Sequence, residues 1–119
     1  MPLSFRVQTV DGTLIVVFTD AQILDATVIE QMHREMMITL EEIQETRVVL
    51  DFSRVRFMSS AALGMLVRVH KKCKELKKAL KLCGIAPQIQ QVFRMTNLDR
   101  IFDLAPDGTT ARQAFAAQP

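Results

Sequence analysis

The chain has 119 residues, of which 49% are hydrophobic and 24% are charged, and its formal net charge at pH 7 is +2. This length and balance suit an ordinary globular protein with one core, so we expect one domain over residues 1–119. No apolar run approaches the ~20 residues of a membrane-spanning helix, and no charged leader precedes an apolar stretch, so we expect a cytoplasmic protein that makes no membrane contact.

Two strands joined by a tight turn are predicted at the start of the chain. Residues 5–10 alternate between apolar and polar side chains, as in a strand with one exposed face. Asp11-Gly12 is a strong hairpin-turn signal. Residues 13–18 form a β-branched and more continuously apolar run, which is typical of a more central strand. We therefore expect the two strands to pair antiparallel.

An amphipathic helix is predicted next. Thr27 and Glu30 have the spacing of a capping box, in which each side chain bonds to the other residue's backbone. Apolar residues then recur every three or four positions, as on one face of an α-helix. They are Ile29, Met32, Met36, Leu40 and Ile43. Methionines can form an adaptable binding stripe, but at this spacing we interpret them as core residues.

Strand and helix signals continue to alternate along the rest of the chain. Strands are predicted over residues 47–52 and 79–83, with a short final strand over residues 101–104. The helices are predicted to begin near Ser60, Pro87 and Thr109. This alternation predicts an α/β fold in which helices pack against a mixed sheet of four to five strands.

Apolar side chains of the second and third predicted helices are expected to face the core. In the second helix they are Leu63, Leu66, Val67 and Leu76. In the third helix they are Ile89, Val92, Phe93 and Met95.

Neither the cysteines nor the histidines form a recognisable site. Cys73 and Cys83 fall in different predicted elements, without a further ligand at metal-binding spacing, so we expect buried reduced thiols. His33 and His70 are isolated, and His70 is interpreted as a packing residue beside the apolar helix face. The sequence also lacks a phosphate-binding loop and a nucleophile-elbow motif. We therefore expect no enzyme activity, no metal and no cofactor.

Basic residues concentrate in and after the second predicted helix. They are Arg68, Lys71, Lys72, Lys74, Lys77, Lys78 and Lys81. Such a run can bind nucleic acid, or it can form a solvated face whose lysine stems cover the core edge. We favour the solvated face and expect no nucleic-acid partner, because the chain has no Trp or Tyr and its net charge is small.

The most informative segment joins a buried strand to the second helix. The apolar run that ends at Phe52 leads through a short loop to Ser59 and Ser60. A serine at a helix N-terminus is a capping residue, and we expect Ser60 to be the cap. A phosphate group would also be favoured there, because free backbone N–H groups and the helix dipole attract anions. The residues alone leave both roles open.

Four short motifs extend over essentially the whole chain. The first is Ile23-Leu24-Asp25 with Thr27. The second is Val49-Leu50-Asp51-Phe52-Ser53 with Val55, Phe57 and Met58. The third consists of Ser60, Leu63, Gly64 and Leu66. The fourth is Gly84-Ile85 with Val92-Phe93 and Thr96-Asn97-Leu98. Together and in this order, they resemble the STAS domain family, the anti-sigma factor antagonists of bacteria.

The resemblance implies a binding module that is switched by phosphorylation. Unphosphorylated members of this size bind a serine kinase that doubles as an anti-sigma factor, and they thereby release the sigma factor. Phosphorylation at the start of the second helix ends that binding until a serine phosphatase reverses it. The acceptor position falls on Ser60, with Ser59 as the second candidate. The implied partner-binding residues are Asp25, Phe57, Met58, Ser59, Ser60, Ala61 and Ala62, together with the exposed face of the helix.

The residues around the acceptor depart from the family pattern. The family commonly has an acidic residue directly before the serine, where this chain has Ser59. It commonly continues with Ser or Thr and then Gly, where this chain has Ala61 and Ala62. An alternative function is therefore a STAS scaffold subunit that assembles with itself or with sensor proteins. A monomer or a weak homo-oligomer is expected for the antagonist.

Overall fold

A five-stranded mixed sheet forms the centre of the computed structural model, which describes residues 5–116. Its strands, in spatial order, are β1 (Phe5–Val10), β2 (Thr13–Phe18), β4 (Arg47–Asp51), β6 (Ala79–Cys83) and β7 (Asp103–Ala105). Two further strands, β3 (Gln22–Ile23) and β5 (Phe57–Met58), pair with each other outside this sheet. The helices are α1 (Ala26–Glu42), α2 (Ser60–Glu75), α3 (Pro87–Met95) and α4 (Gly108–Ala116), and a 3₁₀ turn covers Leu98–Arg100.

The predicted hairpin and mixed sheet are confirmed. β1 and β2 pair antiparallel around Asp11 and Gly12, which both have the positive φ that a type I′ turn requires. β2, β4, β6 and β7 are parallel to one another. The last strand begins at Asp103 rather than at residue 101, because the N–H groups of Ile101 and Phe102 donate to the carbonyl of Leu98 and cannot join the sheet.

The sheet is covered on both faces, although unequally. α1, α2 and α3 pack on one face, where they meet Val48 and Leu50 of β4. α4 packs on the other face, where its Phe115 belongs to a small cluster with Val49. Since successive strand residues point to opposite faces, this two-sided cover explains why the sequence of β4 is continuously apolar.

The core face of α1 is as predicted, whereas its start is different. Ile29, Met32, Met36 and Leu40 are buried, and Ile43 is half-buried just after the helix. The capping box at Thr27 is wrong, since α1 begins at Ala26 and Thr27 already lies inside its first turn. Asp25 is the N-cap residue.

The predicted core face is confirmed for α2 and wrong in part for α3. In α2, Leu66 is buried, and Leu63, Val67 and Leu76 are half-buried against the core. The buried face of this helix also includes Met65, Val69 and Cys73. In α3, Ile89 and Phe93 are buried, but Val92 is exposed and Met95 is 82% exposed. Ile89 and Phe93 are four residues apart and share the side of the helix that faces the core. Val92 lies at the edge of that side, and Met95 lies away from it.

Four members of the basic run have protein partners. Arg68 pairs with Glu30 at 3.1 Å, and Lys72 pairs with Glu41 at 2.6 Å, a hydrogen bond that raises the pKa of Lys72. Lys81 pairs with Asp103, and the Lys78 ammonium donates to backbone carbonyls after α1. Lys71, Lys74 and Lys77 are exposed. This arrangement favours the interpretation as a solvated face.

Both cysteines are buried and reduced, as expected. Burial raises the pKa of Cys73 to about 11. Burial, with the nearby carboxylates of Asp51 and Asp107, raises the pKa of Cys83 to about 12. The His70 ring packs edge-on against Phe102 at 5.4 Å, which confirms its packing role. Among residues 5–116 there is no group of three His, Cys, Asp or Glu side chains that could hold a metal ion, and no helix there is long and apolar enough to cross a bilayer.

Gly84 connects β6 to α3 through a backbone conformation that other residues rarely adopt. Its φ is +68°, and an added Cβ would lie 2.9 Å from the backbone nitrogen of Ser53. Gly84→Ala should therefore lower the free energy of unfolding by at least about 1 kcal/mol. Gly64→Ala, at an open position of α2, should raise it by about 0.5–1 kcal/mol. Urea denaturation measures both variants, and equal stability of the two would contradict this description of Gly84.

Candidate functional site

The pairing of β3 with β5 brings the starts of α1 and α2 together. The two short strands are parallel, with Ile23 opposite Met58. Ala21 accepts hydrogen bonds from the N–H groups of Arg56 and Phe57 at 2.8 and 3.2 Å, and Ile23 accepts one from Ser59 at 3.0 Å. The segment that precedes α1 is therefore fastened to the segment that precedes α2. Both helices begin within a few residues of this pairing.

Each of the two helix starts has its own side-chain cap. The Asp25 carboxylate accepts from the N–H groups of Thr27 and Val28 at 2.8 and 3.1 Å. The Ser59 hydroxyl accepts from the N–H group of Ala62 at 3.2 Å. Ser59, and not Ser60 as predicted, is thus the N-cap of α2, because Ser60 is already the first helical residue. The prediction that a serine caps α2 is therefore confirmed, but the cap lies one residue earlier than predicted.

Ser60 differs from its neighbour in exposure and in bonding. Ser60 is exposed, whereas Ser59 is half-buried. Within the described residues 5–116, the Ser60 hydroxyl has no hydrogen-bond partner, whereas the Ser59 hydroxyl is occupied by the cap. The positive end of the α2 dipole lies at Ser60, and no acidic residue occupies the first turn of the helix. This position is suited to carry an added anion.

The other predicted partner-binding residues fall into two groups. Phe57 is 52% exposed, Ala61 is exposed, and Met58 is half-buried. The Ala62 side chain is completely buried. It can therefore support the site from within but cannot itself touch a partner.

A shallow apolar groove of about 550 Å³ lies beside these residues. It runs between the β3–β5 pair and α3, and its apolar lining comprises Leu24, Phe57, Met58, Ile89 and Val92. The Gln88 side chain donates to the backbone carbonyl of Arg56 at 3.0 Å, which holds α3 against the loop. Met95, one turn beyond Val92, extends the exposed apolar surface.

The contribution of α3 was missed in the sequence. Val92 and Met95 were assigned to the core because they are apolar and lie near Ile89 and Phe93. Met95 lies outside the face that Ile89 and Phe93 define, and the four-residue spacing of those two residues was the available signal. Val92 stands three residues after Ile89, where the helix period still predicts the apolar face. Leu24 belongs to the first sequence motif, and in the structure it directly follows β3 and is 50% exposed.

The match to known proteins agrees with this geometry. The family model of the STAS domain matches residues 4–111. The chain belongs to the STAS domain family. BtrV of Bordetella bronchiseptica, which is named as an anti-sigma factor antagonist, is 28% identical over 113 residues that cover 95% of each protein. The resemblance to the STAS domain family and its anti-sigma factor antagonists is thereby confirmed.

Solved STAS structures share the fold. An anti-sigma-factor antagonist domain protein of Planctomyces limnophilus superposes with a TM-score of 0.85 at 23% identity, covering 95% of this chain and 98% of that one. Phosphorylated SpoIIAA, a Bacillus cell fate determinant, superposes with a TM-score of 0.67 at 18% identity, covering 94% and 96%.

The different roles of the two serines predict different effects on stability. Ser59→Ala removes the N-cap of α2 and should lower the free energy of unfolding by about 1 kcal/mol. Ser60→Ala removes an exposed hydroxyl outside the cap and should change it by less than about 0.5 kcal/mol. Chemical denaturation followed by circular dichroism measures both. A larger loss for Ser60→Ala than for Ser59→Ala would contradict the assignment of the cap.

Proposed function

We propose that this STAS domain is an anti-sigma factor antagonist that binds a serine-kinase anti-sigma factor and is switched off by phosphorylation of Ser60. A serine phosphatase would restore binding, and residues 1–119 would act as one module in the cytoplasm, where sigma factors work. The observation that carries this proposal is the exposed, unbonded Ser60 hydroxyl at the start of α2, beside an exposed apolar groove.

Ser60 is a better acceptor than Ser59 on physical grounds. A kinase must reach the hydroxyl and orient it toward the phosphate of ATP. The Ser60 side chain is exposed, so this requires no structural change. Phosphorylation of Ser59 would modify the atom that caps Ala62 and would disturb the first turn of the helix. The acidic residue common in the family at the Ser59 position would itself be a good N-cap, so serine keeps the cap here and removes one negative charge.

Phosphorylation would alter the surface while leaving the fold intact. A phosphoserine carries a charge of about −1.5 to −2 at neutral pH. At the first residue of α2 this charge faces the positive end of the helix dipole, which stabilises the folded state. A partner seated on the adjacent apolar residues would, however, have to desolvate the phosphate. The expected consequence is a loss of affinity without unfolding.

The partner surface proposed here has two parts. The first comprises Asp25 and the exposed residues of the Phe57–Ala61 loop, and the second is the outer face of α3. The groove joins them, because Phe57 of the loop and Val92 of α3 both line it. Contiguous exposed apolar side chains mark surfaces that other proteins cover. We therefore include Leu24, Val92 and Met95 among the partner-binding residues.

A self-assembling scaffold subunit is the alternative function. The exposed apolar groove favours it, since contiguous apolar surface also serves association between copies of one chain. Size-exclusion chromatography with light scattering distinguishes the two functions. A monomer at high concentration contradicts self-assembly, whereas a stable oligomer that buries the groove contradicts the antagonist.

The Ser60 switch predicts one modification and one change of affinity. With ATP and the anti-sigma kinases of the source organism, tested one by one, phosphate should appear on Ser60 by peptide mass spectrometry. The Ser60→Ala variant should remain unmodified. Ser60→Asp should bind the same kinase at least ~10-fold more weakly than the unmodified chain in calorimetry, because an added charge must be desolvated at the interface.

Thr109→Asp is the matched control for the Ser60→Asp variant. It adds the same carboxylate to the first turn of another helix, α4, on the opposite face of the sheet. It should bind the kinase as the unmodified chain does. Phosphate absent from Ser60 with every kinase, or equal weakening by the two aspartates, would contradict the switch.

The role of α3 predicts a loss of binding from a position outside the loop. Val92→Asp places a charge in the groove and should weaken kinase binding at least ~10-fold while leaving the fold intact, because the side chain is already exposed. Ile38→Asp, at an exposed apolar position of α1 outside the groove, is the control and should bind normally. Calorimetry measures both, and normal binding by Val92→Asp would exclude α3 from the interface.

A further inference from the structure

A second pocket, of about 290 Å³, lies at the other end of the sheet. Thr13 of β2 and Arg47 of β4 face each other at the amino ends of these parallel strands, whereas α2 begins after the carboxyl end of β4. The pocket is therefore separate from the candidate partner surface, and a ligand could bind there whether or not the proposed function is correct. Its lining residues are Asp11, Thr13, Arg47, Thr109, Arg112 and Gln113. We term it the arginine pocket.

Two guanidinium groups share the arginine pocket with a single carboxylate. Within the part of the chain that the structure describes, the Arg47 guanidinium has no hydrogen bond and no ion pair. Arg112 lies 3.7 Å from the Asp11 carboxylate, but that side chain is 90% exposed. An ion pair this open to solvent is strongly screened. The pocket therefore carries positive charge that the protein itself compensates only in part.

The Arg112 side chain is only weakly held by its neighbours. Its Nε atom is buried without a hydrogen-bond partner. Its Nη2 atom donates a long bond of 3.4 Å to the Thr109 hydroxyl. A buried donor without an acceptor is unfavourable. If the Arg112 side chain rotated so that its guanidinium edge faced an anion in the pocket, Nε would lose no protein hydrogen bond. The anion would then supply the acceptor that Nε lacks.

We propose that the arginine pocket binds a small oxyanion, namely the phosphate or carboxylate group of a small molecule. The paired N–H groups of a guanidinium match two oxygen atoms of such a group. The hydroxyls of Thr13 and Thr109 and the amide of Gln113 are further donors on the lining. None of the six lining residues is aromatic, so the pocket offers no stacking platform for a nucleobase. Its volume also lies at the lower end for ligand sites.

The proposal is tested by titrating the isotope-labelled full chain with inorganic phosphate at constant ionic strength, with chloride as reference and malonate as the carboxylate probe. Saturable shifts are expected in the NMR signals of Asp11, Thr13, Thr109 and the Arg112 Nε–H group. Arg47→Gln should weaken binding ~10-fold, the scale of one charge-assisted hydrogen bond. Saturation by phosphate alone, malonate alone or both supports the site and identifies the group that it prefers.

Two further variants make the outcome decisive. Asp11→Asn removes the competing carboxylate and should strengthen binding, while asparagine keeps the positive φ of the turn. Arg94→Gln, at an exposed position of α3 outside the pocket, should bind as the unmodified chain does. Shifts that do not saturate, that spread over exposed Lys and Arg residues, or that persist unchanged in Arg47→Gln would overturn the proposal.

Discussion

The short parallel pairing of β3 with β5 is the constraint on which the candidate site depends. It comprises only two residues on each side, yet three backbone N–H groups from residues 56–59 donate to Ala21 and Ile23 across it. Without this pairing, the segments before α1 and α2 would be independent loops. With it, Asp25, Phe57 and Ser60 are presented on one surface.

The same constraint explains how two adjacent serines take different roles. Because the Ser59 N–H group is bonded to Ile23, Ser59 is fixed in the extended conformation that an N-cap requires. Its hydroxyl then satisfies a free N–H group of the helix, and Ser60 begins α2 with its side chain outside the cap. The helix start is thereby stabilised by Ser59, while the Ser60 hydroxyl stays exposed. The phosphorylation that we propose at Ser60 would change the charge at a fixed position and would need no rearrangement of the core.

Much of the fold could be predicted from periodicity in the sequence. The alternation in β1, the Asp11-Gly12 turn and the spacing of Met32, Met36 and Leu40 in α1 each report a local rule that tertiary packing does not override. The two short strands β3 and β5 could not be predicted, because two residues carry no periodic signal and their pairing joins segments more than thirty residues apart in sequence.

The candidate site was predictable in part. The motif order located Ser60 and the loop, but the cap was placed one residue late and the first helix start was assigned to Thr27 instead of Asp25. Helix boundaries are set by which side chain reaches the free N–H groups, and several neighbouring residues were chemically suitable. The helix period gave a sign of exposure for Met95, which lies off the face of Ile89 and Phe93. It gave none for Val92, whose exposure depends on how α3 packs beside the loop.

The central claim is that one continuous surface, made by the β3–β5 pair, the start of α2 and the outer face of α3, contacts the kinase. NMR spectra of the isotope-labelled chain, recorded with and without its unlabelled kinase partner, test this claim most directly. We expect signal changes that cluster at Leu24, Phe57, Ser60, Val92 and Met95, with the signals of α4 unchanged. Changes concentrated on α4, or on the basic C-terminal end of α2, would contradict it.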